Sequence, residues 1–260
     1  MLTAARCSRA RQRTGRANTA RGAARFVDEL AARVRRAGAT GELTIRMDSG
    51  FWSAKTIKTC RRHRIRYSIT VRQTKPIRAA IAAIDEDDWT PIVYPDGGIA
   101  QVAETHYKGD RLIVRRTRLV GAQAELFPNW RYHALVTDRV GTAVWLDQDH
   151  RRHAVVELCI RDLKGGVGLR HCPSGRFAAN AAWLVIATLA HNLLRWIAAI
   201  GLGARGELVV AKTLRRTLLA LPGRLTRSAR RWTLHLPAGW PWAAWFELAL
   251  ARLRCVAYAT

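Results

Sequence analysis

Asp48 closes the short run Leu43-Thr44-Ile45-Arg46-Met47 and leads directly into Ser49-Gly50-Phe51. Leu43, Ile45 and Met47 alternate with polar neighbours, the period of a half-buried strand, so the carboxylate stands on the strand's C-terminal lip. Gly50 permits a sharp turn, and Ser53 is placed to cap a helix over 53–63. A strand that ends in an acid and turns into a helix presents that acid to a metal ion or a phosphate at the open end of a sheet.

A second acid comes much later. The segment 150–164 reads as a single helix, with Val156, Cys159, Ile160 and Leu163 as its apolar stripe. His150, His153, Glu157, Arg161 and Lys164 follow the opposite stripe, so one helix face offers an acid flanked by bases. The same face allows another reading, in which His150, His153 and Glu157 hold zinc as a hydrolase would.

Both segments resemble bacterial insertion-sequence transposases of the DDE class, and the resemblance runs from about residue 13 to 220. The second catalytic Asp of one large group lies in an Arg-x-Asp-Ser-Gly-Phe-like motif, matched by Arg46, Asp48, Ser49, Gly50 and Phe51. Its Glu lies in a Tyr-x2-Arg-x3-Glu-x6-Lys signature. Glu157 and Lys164 match that spacing, with His150 where Tyr is usual and His153 where Arg is usual. The stretch from Gly15 to Gly22, and Phe177, Asn180, Asn192 and Leu193, are similar to flanking segments of that family.

The resemblance implies an RNase H-like fold and metal-dependent cleavage and strand transfer of DNA. Asp48 and Glu157 would be catalytic and would hold Mg²⁺ or Mn²⁺. Arg46, His150, His153, Arg161 and Lys164 would contact DNA. The implied partners are the terminal inverted repeats of an insertion sequence and another transposase chain, in the bacterial cytoplasm at the nucleoid. The family's first catalytic Asp lies well upstream of the Gly15 segment, and residues 1–14 contain no acid. The expectation is a chain that has lost its beginning, folds poorly and does not cleave. Asp138, at the end of another strand-like run, falls in the family's inserted region. The alternative is a remnant that binds DNA without catalysis.

Composition points the same way. A formal charge of +25 and a pI near 11.5 call for a polyanionic partner, most simply DNA. Arginine far outnumbers lysine, which suits bidentate contact with phosphate. Five scattered cysteines without a Cys-x-x-Cys pair argue against a disulfide framework and a zinc ribbon. Residues 182–200 are apolar enough to span a bilayer, but His191, Asn192 and Arg195 favour a buried core helix and no membrane.

The elements that position these residues read as mixed α/β: an incomplete RNase H-like core, an inserted β-rich subdomain and a helical C-terminal region. Residues 1–18 form a basic arm or strand remnant. Residues 19–72 form the leading stretch of the core, with a helix over 19–37 and strands before Asp48 and at 67–71. Residues 73–145 are the insertion, with strands at 90–94, 99–107, 111–119 and 130–137. Trp89, Trp130 and Tyr132 there could stack on bases. Residues 146–200 form the closing stretch of the core. Residues 201–260 are basic and helical, with Arg224, Arg227, Arg230 and Arg231 clustered where phosphates could lie.

Overall fold

The computed structural model describes residues 20–94, 98–118, 130–152, 154–203, 209–237 and 239–256. The chain divides between His153 and Ala154 into two compact units.

The first unit is built on one mixed sheet. Strand β1 (Leu43–Met47) runs parallel to β2 (Ile65–Thr70), with Ile45 opposite Tyr67 and Met47 opposite Ile69. A parallel pair needs a crossover, supplied by helix α2 (Ala54–Arg62). Ser53 Oγ accepts from Thr56 N at 3.2 Å to start that helix, as its sequence position predicts. On its other side β2 pairs antiparallel with β6 (Arg131–Thr137). The sheet continues through β5 (Asp110–Arg118), β4 (Ile99–Tyr107) and β3 (Thr90–Ile92), in the order β1-β2-β6-β5-β4-β3. Lys108 and Gly109, both at positive φ (54° and 81°), make the tight β4–β5 turn.

Side-chain alternation gives the sheet two buried faces. Tyr67, Ile69, Leu112, Val114, Ala134 and Val136 lie on one, in a core shared with α1 (Ala23–Arg36), α2 and α3 (Lys75–Ala82). Val102, Ile113 and Leu135 lie on the other, against Leu146 of α4 (Ala143–Arg151). The β-rich stretch therefore does not stand apart as an inserted subdomain. Its strands extend the sheet that holds the Asp48 strand, because both faces of β5 and β6 are apolar and both are covered. Within α1 the fully buried stripe is Ala23, Val27 and Ala31, with Phe26, Leu30 and Val34 half-buried beside it. Residues 1–18, expected as a basic arm, lie outside the described residues.

The segment 150–164 is two helices rather than one. Helix α4 ends at Arg151, and α5 (Ala154–Gly166) starts the second unit. That unit continues with α6 (Phe177–Trp196), which runs on as a wider turn to Leu202, and a short α7 (Ala211–Leu214). A hairpin of β7 (Arg224–Ser228) and β8 (Arg231–His235) follows, then α8 (Ala243–Arg254). Its core is Leu194, Ala198, Leu202, Ala211, Leu214, Leu218 and Ala249. The hairpin corrects the expectation of an all-helical region after residue 200. Leu225, Thr226, Trp232 and Thr233 favour a strand within a stretch whose pattern reads as helical.

By length and composition, Phe177–Leu202 could cross a membrane. It is not the buried core helix expected, since only 28% of that apolar window is buried; His191 Nε2 lies 3.1 Å from Asp162 Oδ2, and Arg195 donates to the Val209 carbonyl at 2.9 Å. Asp162 also accepts from Ala211 N, joining α5, α6 and the start of α7.

Candidate active site

Asp48 caps the 3-10 turn Ser49–Phe51 immediately after β1, and its Oδ1 accepts from Gly50 N at 2.7 Å. Phe51 and Trp52 pack partly against the core, and Trp52 leans on Tyr107 with ring centroids 6.1 Å apart. The turn is thus anchored by its aromatics while its acid remains exposed. This is the presentation that the alternation of β1 and the glycine at position 50 predict.

Arg46, expected on DNA, has a different partner. Its register opposite Ser68 turns it to the α4 face, where its Nη2 donates to both Asp149 oxygens at 2.7 and 2.8 Å. Arg139 donates to the same carboxylate. Burial works against the charge on Asp149, yet hydrogen bonds from Arg46 and Arg139 hold its pKa below the ordinary carboxylate value. Two residues away on α4, Asp147 pairs with Arg115 and Arg151, each at 3.0 Å. These acids tie α4 to the sheet. Their only sequence signal is Asp-Gln-Asp in a strongly basic chain.

His150 is likewise placed inside. It is buried, with Ser68 Oγ 2.7 Å from its Nδ1 and Thr70 Oγ1 3.0 Å from its Nε2. Both ring nitrogens are occupied, and the residue belongs to a different helix from Glu157. That overturns the ordered face His150-His153-Glu157 and the zinc reading built on it. His153 lies outside the described residues. Beside His150, His133 has its pKa lowered by burial and then by the Arg115 charge.

In the second unit Glu157, Arg161 and Lys164 are all exposed on α5, at helical spacings that put them on one face. Val156 and Ile160, expected on a buried stripe, are 42% and 44% exposed, and Leu163 alone of that stripe is fully buried. Asp48 and Glu157 belong to different units, each presenting its carboxylate on its own.

Most of the described carboxylates are committed to a cation. Asp28, Glu29, Glu42, Glu86, Glu104, Asp110, Asp138, Asp147 and Asp149 are in ion pairs with arginine, and Asp162 with His191. Asp48 and Glu157 are in none among the described residues. Neither are Asp85, Asp87 and Asp88, in the turn before β3, nor Glu247 on α8. Asp48 and Glu157 are the two that the family motifs single out. Both are exposed hard-oxygen donors, the type that magnesium takes.

Residues 4–257 match a family model described as Transposase DDE domain group 1. The chain belongs to the DDE transposase family. That membership implies an RNase H-like fold, a role in DNA transposition and DNA as a partner. No curated protein matches the sequence.

DDE transposases generally use a divalent metal. In this transposase Asp48 in one unit and Glu157 in the other are each an oxygen donor of the kind such an ion takes, and no three His, Cys, Asp or Glu side chains cluster for one among the described residues. Asp138 is no third site acid. Its Oδ1 accepts from Tyr67 N at 2.9 Å, tying the end of β6 to β2. The aromatics expected to stack on bases are also engaged, since the Arg116 guanidinium lies 4.2 Å from the Trp89 ring and 4.5 Å from that of Trp130.

Proposed function

We propose that this protein acts as a DDE-type transposase, cleaving a phosphodiester at the end of an insertion sequence and transferring the strand. The observation that carries this is an exposed Asp48 on a strand lip that is in no ion pair among the described residues, where most of the described carboxylates are held by arginine or histidine. Asp48 and Glu157 are the residues that would hold Mg²⁺ or Mn²⁺, which when bound activates a nucleophile and neutralises the leaving oxygen. Arg161 and Lys164 share the face of Glu157 and would steady the DNA backbone there. The partners are duplex DNA bearing terminal inverted repeats and another transposase chain, in the bacterial cytoplasm.

A second reading is DNA binding without cleavage. It is favoured by the net charge of +25, which draws a polyanion whether or not Asp48 and Glu157 act. Incubating the chain with a labelled element-end duplex and Mg²⁺ separates the two. The first reading predicts nicking that Asp48→Asn and Glu157→Gln each abolish while binding persists. Binding with no nick moves the conclusion to the second reading, and failure to bind DNA overturns both.

A further inference from the structure

The β7–β8 hairpin has no role in the reaction proposed above, and packing does not explain its sequence. The two strands form a sheet of their own, with every residue exposed except the half-buried Thr226. Leu225, Trp232 and Leu234 remain 59%, 60% and 58% exposed. A lone hairpin is marginally stable in water, so one that buries so little is better explained by what it binds.

Directly opposed residues of an antiparallel pair share a face. The register Arg224↔His235, Thr226↔Thr233 and Ser228↔Arg231 makes one face entirely basic and hydroxylic. The other holds Leu225, Leu234 and Arg227, with the Arg227 guanidinium 5.4 Å from the Trp232 ring. At the tip, Ala229 and Arg230 both have positive φ (44° and 64°), so a two-residue turn projects an arginine beyond the strands. Residues 208–246 contain seven lysines and arginines and no Asp or Glu. Among the described residues none of Arg224, Arg227, Arg230 and Arg231 is paired with a carboxylate.

We propose that the polar face and tip of this ribbon enter the major groove of duplex DNA, with Arg224, Arg230 and Arg231 on phosphates. The groove is about 12 Å wide and admits a two-stranded ribbon. Strands about 4.8 Å apart fit it with side chains to spare on the polar side. Guanidinium forks match phosphate oxygens, and here no ion pair has to break first. Thr226, Ser228 and Thr233 then face the base edges. The assignment rests on the reading of the chain as a DNA-transposition protein, and adds a grip on the duplex separate from Asp48 and Glu157.

The test is fluorescence anisotropy of the full chain on a labelled random-sequence duplex across a salt series. The comparison is with a variant carrying Arg224→Gln, Arg230→Gln and Arg231→Gln, and with a charge-matched control carrying Arg36→Gln, Lys75→Gln and Arg78→Gln. Each lost phosphate contact lowers the slope of log affinity against log salt by about 0.9, so the triple variant should lose about 2.7. At 0.15 M salt that corresponds to roughly 100-fold weaker binding. Arg230→Gln alone, at an exposed tip that cannot unfold the unit, should lower the slope by about 0.9. An unchanged slope in the ribbon variants, or an equal loss in the control, overturns the ribbon and leaves the transposase reading standing. A wild-type chain that shows no salt-dependent DNA binding overturns both.

Discussion

Asp48 and Asp149 are acids with opposite duties. Asp149 joins β1 and α4 through Arg46 and Arg139, and its removal strands two half-buried guanidinium groups. Asp149→Ala should therefore cost about 3 kcal/mol, read as a lower urea midpoint at unchanged slope. Asp48 pairs with no cation among the described residues, so Asp48→Asn should stay within about 0.5 kcal/mol in the same experiment. His133 adds a pH dependence. Its pKa is lowered in the folded state, so the unfolded chain binds its proton first as pH falls. Its contribution is complete above the unfolded value near 6.5 and is lost as pH drops below it. Thermal midpoints between pH 5 and 8 should fall on the acid side, and His133→Gln should flatten that region of the curve. Asp149, also lowered, loses its contribution only further down, as pH falls below the ordinary carboxylate value. The presentation of Asp48 was legible in sequence because strand, turn and cap are local. The roles of Arg46 and His150 were not, since their partners lie 103 and 82 residues away in the chain.

At the scale of elements, helix packing sets limits that single residues reveal. A Cβ on Gly201 would lie 2.8 Å from the Ala249 Cβ, where the extension of α6 meets α8. Gly201→Ala should destabilise the second unit by about 1–3 kcal/mol through overpacking, measured by chemical denaturation. The ribbon turn has the reverse character. Replacing Ala229-Arg230 by Asn-Gly relieves two left-handed residues and should raise the hairpin's hydrogen-exchange protection while weakening DNA binding. Most elements of the first unit follow from their own periodicity: β1, α2, β2 and the strands through β6 fall close to where alternation and turn residues put them. Two elements depart from the sequence reading, each for its own reason. The helix over 150–164 divides because the inward stripe of α4, Leu146 to His150, is chosen by contacts with the sheet. The hairpin was hidden because its strands are only five residues each, so the alternation of Trp232 and Leu234 with polar neighbours is too short to stand out from the helical pattern around it.

For the whole molecule the governing quantity is charge. A net +25 draws DNA to the protein, and against that background an unpaired carboxylate repels a nearby phosphate unless a cation intervenes. This gives the central claim, that Asp48 works at the phosphate backbone, a readout that does not depend on turnover. Anisotropy would compare wild type with Asp48→Asn on an element-end duplex, in a chelator and then in Mg²⁺. In the chelator, removing one repulsion of about 1 kcal/mol should make Asp48→Asn bind about fivefold tighter. With Mg²⁺ present the wild type should recover that difference. Equal affinities in both conditions would contradict the account, because they would place Asp48 away from the DNA it is proposed to process.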